Sequence, residues 1–161
     1  VAISDVSGAY YNPKGLDIEA AFEACRSNKN WILKGYDKKT SCEKLDDPMK
    51  LLELDVDILI PAALENQITE ENADKVKAKI VAECANGPVT PEADDILDKN
   101  NVFIIPDILC NAGGVTVSYL EWVQNRMGYY WEKERINQDL EHIMKKSFDE
   151  VLEKFGDHQF V

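Results

Sequence analysis

The stretch Val102-Phe103-Ile104-Ile105-Pro106-Asp107-Ile108-Leu109-Cys110-Asn111-Ala112-Gly113-Gly114 and its continuation to Trp122 constrain this chain most. The first four residues are apolar and bounded by turn signals, which reads as a buried strand. The chain then passes through Asn-Ala-Gly-Gly into a long helical pattern. A strand that ends in a small-residue turn and opens a helix leaves free backbone N–H groups at the mouth of the fold. Gly113 and Gly114 let the backbone approach a flat ligand, or take a φ that other residues resist. Asn111 can cap the helix or aim its amide at a bound group. Asn and Gly are equally at home in a plain turn, so the rest of the chain has to discriminate.

Before that stretch, strand-like and helix-like segments alternate. Residues 1–5 read as a first strand ending in Asp5, and residues 10–15 (Tyr-Tyr-Asn-Pro-Lys-Gly) as a turn. Residues 16–27 form a helical pattern with Asp17 as N-cap and Ile18, Ala21, Phe22 and Cys25 on one face. Residues 28–48 are polar and irregular, with Trp31 and Ile32 as expected anchors to the core, and residues 51–54 close a short helix. Further strands are expected at 55–63, 78–85 and 102–105. Thr69 caps a short helix with Glu70 and Glu71 in its first turn, and Thr90-Pro91 starts another with proline at the first position. Residues 114–127 are helical. A second long helix carries Ile136, Leu140, Ile143, Met144, Phe148, Val151, Leu152 and Phe155 as an apolar stripe for packing.

This alternation implies an α/β fold, with a mostly parallel sheet, helices on both faces and two long helices at the end. Ligands of such sheets bind beyond the carboxyl ends of the strands. Asp5, Pro61-Ala62-Ala63, Ala85-Asn86-Gly87 and Asn111-Ala112-Gly113 all fall there, around one crevice suited to a flat ligand.

A chain of 161 residues fits one domain and can bury roughly 70% of its unfolded surface. Its net charge of −12 is spread along the sequence, which argues against nucleic acid and anionic membranes as partners. No apolar run approaches the ~20 residues of a membrane span, and the start lacks a basic leader, so a cytoplasmic location is expected. Cys25, Cys42, Cys84 and Cys110 follow no metal-ligand spacing and there are only two histidines. Reduced thiols and no metal site are therefore expected.

Asp5 stands where a dinucleotide fold places the acid that accepts hydrogen bonds from the adenine ribose; a surface Asp opening the turn before Gly8 is the competing reading. A carboxylate there favours NAD, while Ser4, Ser7 and Gly8 leave room for the 2′-phosphate of NADP. The Gly-x-Gly-x-x-Gly loop that seats a pyrophosphate is absent from the sequence. It belongs about 20 residues before the acid, which places it ahead of Val1 in a longer protein.

Ile3-Ser4-Asp5, Asn12-Pro13-Lys14-Gly15-Leu16, residues 51–66, residues 82–94 and residues 106–122 together resemble the cofactor domain of hexameric glutamate dehydrogenases, most of all archaeal and thermophilic ones. The most specific matches are Ala85-Asn86-Gly87-Pro88 and Asn111-Ala112-Gly113-Gly114-Val115-Thr116-Val117-Ser118. The resemblance implies a Rossmann-like fold, of which residues 1–161 are a part, without the first strand and without the substrate domain. It implies that Asn86 and Asn111 lie beside the nicotinamide ribose and carboxamide, that Ala62 and Ala63 lie against the cofactor with Gly113, and that Ser118 hydrogen-bonds the side-chain carboxylate of glutamate. A serine that bonds back to a helix carbonyl is the plainer reading of Ser118. The implied activity is oxidative deamination of L-glutamate to 2-oxoglutarate and ammonia with NAD or NADP, in a homohexamer. The catalytic lysine and aspartate and the cations for the substrate carboxylates lie in the other domain, so no catalytic residue is assigned here. A dehydrogenase of a branched-chain or aromatic amino acid, and a non-catalytic interaction module, are the competing readings.

Overall fold

The computed structural model describes residues 1–155 and divides into two compact units. The first comprises Val1–Asp55 with Lys75–Lys77, and the second Val56–Asp74 with the chain from Ala78 onward.

In the first unit, β1 (Ala2–Asp5), β2 (Gly8–Tyr11) and β3 (Glu43–Leu45) form an antiparallel sheet in that order. The first strand thus turns back on its neighbour, with Asp5 opposite Gly8, and does not join the parallel sheet as a fourth member. The reason is local. Asp5 Oδ1 accepts hydrogen bonds from the Ser7 N–H at 2.8 Å and the Ser7 hydroxyl at 2.6 Å, closing an Asx turn around Val6. The helix α1 (Ile18–Ser27) starts as expected, with Asp17 accepting the Ala20 N–H at 2.9 Å.

The face expected of α1 is half borne out. Ala21 is buried and Cys25 packs against the core, joined by Ala24, whereas Ile18 and Phe22 are 67% and 56% exposed. The small alanines admit Tyr10, Leu33 and Tyr36 into one core, with the two tyrosine rings edge to face at 5.4 Å. Leu33 and Tyr36 therefore anchor the irregular segment, in place of Trp31 and Ile32. Trp31 is exposed, holds a left-handed φ of 53°, and packs its ring against Phe22 at 6.3 Å. Residues 48–53 form a 3-10 helix opened by Asp47, which accepts the Met49 N–H at 2.9 Å.

The second unit holds a parallel sheet of β4 (Ile58–Leu59), β5 (Ile80–Ala82) and β6 (Phe103–Ile105). The extended segments are longer than the paired strands. Beyond β5 the contact continues as single bonds, from the Glu83 N–H to the Ile105 carbonyl at 3.1 Å and from the Ala85 N–H to the Pro61 carbonyl at 2.9 Å. Leu59, Ile68, Val81, Leu97 and Ile104 are buried in this unit. Thr90 caps α2 (Pro91–Lys99) by accepting the Ala93 N–H at 3.3 Å. At Thr69 the expected helix is a single 3-10 turn, Ala73–Lys75, although Thr69 Oγ1 does accept the Glu71 N–H at 3.3 Å.

After β6 come a one-turn helix α3 (Asp107–Cys110), then α4 (Ala112–Met127) and α5 (Lys133–Phe155). Gly128 ends α4 in the left-handed region at φ 67°, and its N–H reaches the Gln124 carbonyl at 2.9 Å. The buried Gln124 holds the reversal by accepting the Trp131 N–H at 2.7 Å. The apolar stripe of α5 is half-buried from Ile136 to Val151, and Leu152 is exposed. The side chain of Phe155 and residues 156–161 lie outside the described residues. Among the described residues, no helix is long and apolar enough to cross a membrane.

Candidate functional site

The end of β5 and the α3–α4 junction meet through a ladder of polar contacts that starts in the core and ends at the surface. Glu83, buried at 7% exposure, follows directly on β5. Its Oε2 accepts the Asp107 N–H at 2.9 Å. Burial pushes the Glu83 carboxyl above its ordinary value; the Asp107 N–H pulls it back, and the charges of Asp94 and Asp107 add to the rise. Asp107 uses both oxygens on backbone donors, the Gly87 N–H at 2.8 Å and the Ile108 N–H at 2.6 Å. It thereby stabilises the first turn of α3 with charge of the correct sign.

Gly87 supplies the turn this network needs. Its φ of 52° lies in the left-handed region, where a side chain costs roughly 1–2 kcal/mol. That turn points its N–H at Asp107 and its carbonyl at the Asn66 N–H, at 2.9 Å.

Asn111 sits between α3 and α4 with φ −97° and ψ 2°, and its side chain makes no cap bond. The amide is turned instead to the end of β5. Asn111 Nδ2 donates to Asn86 Oδ1 at 2.7 Å and lies 3.4 Å from the Ala85 carbonyl. Asn86 is exposed, and among the described residues its amide nitrogen has no partner. Ala62 and Ala63 follow β4, both exposed, next to Pro61, whose carbonyl accepts the Ala85 N–H.

Gly113 and Gly114 lie in the first turn of α4 and neither has a positive φ, so conformational need does not explain them. A Cβ on either would meet nothing within 4 Å, which leaves open space above this turn. Ser118, one turn further, is exposed and donates to the Gly114 carbonyl at 3.1 Å, the back-bond of a helix serine. Asp5 belongs to the first unit, where its Oδ2 accepts the Leu33 N–H at 2.6 Å. Both of its oxygens thus serve the β1–β2 turn and the segment after α1.

Sequence reasoning missed Glu83 and Asp107. The signals were there: a lone carboxylate inside Ile80-Val81-Ala82-Glu83-Cys84-Ala85, and an acid directly after the proline that opens a helix. All four thiols are free; Cys84 is exposed, and Cys25, Cys42 and Cys110 are half-buried, with the sulfurs of Cys84 and Cys110 3.6 Å apart. Burial first, then the Cys84 contact, pushes the Cys110 thiol up to about 11.

Residues 1–160 match the family described as Glutamate/Leucine/Phenylalanine/Valine dehydrogenase, and the chain belongs to that family. It is 49% identical over 157 residues to the NADP-specific glutamate dehydrogenase A1 of Halobacterium salinarum, covering 98% of this chain and 36% of that protein. It is 48% identical over 153 residues to the cryptic catabolic NAD-specific glutamate dehydrogenase GudB of Bacillus subtilis (strain 168), covering 95% and 34%. Among solved structures, the hetero-hexameric glutamate dehydrogenase from Thermus thermophilus in its Leu-bound form matches with a TM-score of 0.77 and 31% identity, over 92% of this chain and 33% of that one. The chain spans about a third of the length of the curated relatives it matches.

Proposed function

We propose that this chain is the cofactor-binding part of an NAD(P)-dependent glutamate dehydrogenase that oxidatively deaminates L-glutamate to 2-oxoglutarate and ammonia. The observation that carries the reading is the amide pair. Asn111 and Asn86 hold each other at 2.7 Å across the end of β5 and the start of α4, in a chain nearly half identical to NAD- and NADP-specific glutamate dehydrogenases. Among the described residues the Asn86 amide nitrogen has no partner and the space over Gly113 and Gly114 is open, which suits a flat, polar ring with a carboxamide edge.

In this reading Asn86 and Asn111 orient the ribose and carboxamide, Ala62 and Ala63 present a smooth apolar wall, and Gly113 permits close approach. A nicotinamide bound there would take up the hydride from the α-carbon of glutamate. The chain's contribution is positional, since misplacement of the reacting atoms by 1 Å costs about a hundredfold in rate. Ser118 donates to the side-chain carboxylate of glutamate after releasing the Gly114 carbonyl by rotation about χ1. In this reading the cations for the two substrate carboxylates come from the rest of the protein, and the assembly is a homohexamer.

Steady-state rates on the full-length protein test the substrate. Glutamate should be turned over faster than leucine, valine or phenylalanine with NAD or NADP. Faster turnover of leucine would contradict the proposal.

A further inference from the structure

We propose that Cys84 and Cys110 are a peroxide-responsive thiol pair that closes a reversible disulfide between the end of β5 and the end of α3. Their sulfurs lie 3.6 Å apart as free thiols. A disulfide needs about 2.05 Å, so closure takes a movement of about 1.5 Å. The flanking backbone is pinned on both sides of the pair. On one side Glu83 accepts the Asp107 N–H at 2.9 Å, and on the other Asn111 donates to Asn86 at 2.7 Å. These bonds hold the two sulfurs in register and give the second thiol a high effective concentration against the first.

The two cysteines have different surroundings. Cys84 is exposed and meets a dissolved oxidant first, whereas the half-buried Cys110 stays protonated, its thiol pushed up to about 11. The Cys84 thiolate attacks one oxygen of hydrogen peroxide, the O–O bond breaks, and hydroxide leaves; Cys84 becomes a sulfenic acid. Neutral at this stage, Cys84 no longer opposes ionisation of Cys110. The Cys110 sulfur then attacks the Cys84 sulfur, the S–O bond breaks, and its oxygen leaves as water with the thiol proton. Two thiols and one peroxide give one disulfide and two waters; the sulfur pair loses two electrons and the peroxide gains them. A thiol reductant reverses the bond by exchange. Cys25 and Cys42, in the first unit, serve as internal controls.

The bond would also pull on the residues next to the Asn86–Asn111 contact. This consequence, but not the disulfide, rests on the cofactor reading above. If closure breaks that one hydrogen bond, NADH affinity falls by about tenfold.

The test treats the reduced full-length protein with one equivalent of hydrogen peroxide, alkylates the free thiols, and maps tryptic peptides without reduction. The expected product joins the peptide of residues 80–99 to that of residues 100–126, with Cys25 and Cys42 alkylated. In Cys110→Ser the Cys84 sulfenic acid should persist and be captured by dimedone. Sulfinic acid at Cys84 with Cys110 still alkylated in the unmutated protein would overturn the proposal, as would linkage through Cys25 or Cys42. Titrating NADH into the reduced and oxidised forms keeps the two readings separable. Failure of the reduced form to bind contradicts the cofactor reading alone, while equal affinity of both forms contradicts only the coupling.

Discussion

Replacing Asn111 by alanine removes the amide that reaches Asn86 at 2.7 Å and the Ala85 carbonyl at 3.4 Å. The helix does not need that side chain, because it makes no cap bond. Thermal stability should therefore change little, while NADH affinity should fall about tenfold, the value of one hydrogen bond near 1.4 kcal/mol; calorimetric titration reads both binding and its loss. Ser118→Val replaces the hydroxyl by two methyl groups, so the ratio of kcat/KM for glutamate over leucine should drop while NADH affinity holds. Glu83 makes a pH-dependent prediction. Its carboxyl lies above the ordinary 4.5, chiefly through burial. The folded state therefore binds this proton more tightly than the unfolded state does. The resulting stabilisation is complete below the unfolded value and is lost as pH rises through the folded one. Glu83→Gln carries no charge and keeps an acceptor for the Asp107 N–H, but turns its NH2 toward the Val89 N–H, a cost independent of pH. Relative to the unmutated protein, its urea midpoint should improve as pH rises above 4.5 and level off once the folded carboxyl has ionised; a difference constant with pH would contradict this account.

Helix starts follow from neighbouring residues, and they were legible. Asp17 and Thr90 each cap a helix from the position where local chemistry puts an oxygen beside an orphan N–H. Thr90→Ala should cost about 1 kcal/mol, measured by urea denaturation. Partners chosen at long range were not legible. Nothing in Val1 to Asp5 says whether the strand pairs ahead or behind, and the Asx turn at Asp5, Val6 and Ser7 carries no strong hairpin signal. Ile18 and Phe22 of α1 were misread because size outweighed hydrophobicity. Two tyrosines fill the core of the first unit, and α1 meets them with the small side chains of Ala21, Ala24 and Cys25. At the candidate site, the composition of the strand ends singles out Asn86 and Asn111, which the structure brings within hydrogen-bond distance of each other. The polar ladder from Glu83 through Asp107 to Gly87 remained hidden, since each bond joins residues 20 or more apart.

At the scale of the whole molecule, the chain spans about a third of its curated relatives. The proposed function divides the labour: this part positions a dinucleotide, and the groups that hold the substrate carboxylates lie outside it. The most direct test of that claim is a calorimetric titration of the reduced full-length protein with NADH and NADPH, repeated on Asn111→Ala. The account predicts saturable binding of at least one of them, weakened about tenfold by the substitution. Absence of heat with either cofactor at millimolar concentration, or an affinity untouched by Asn111→Ala, would contradict it.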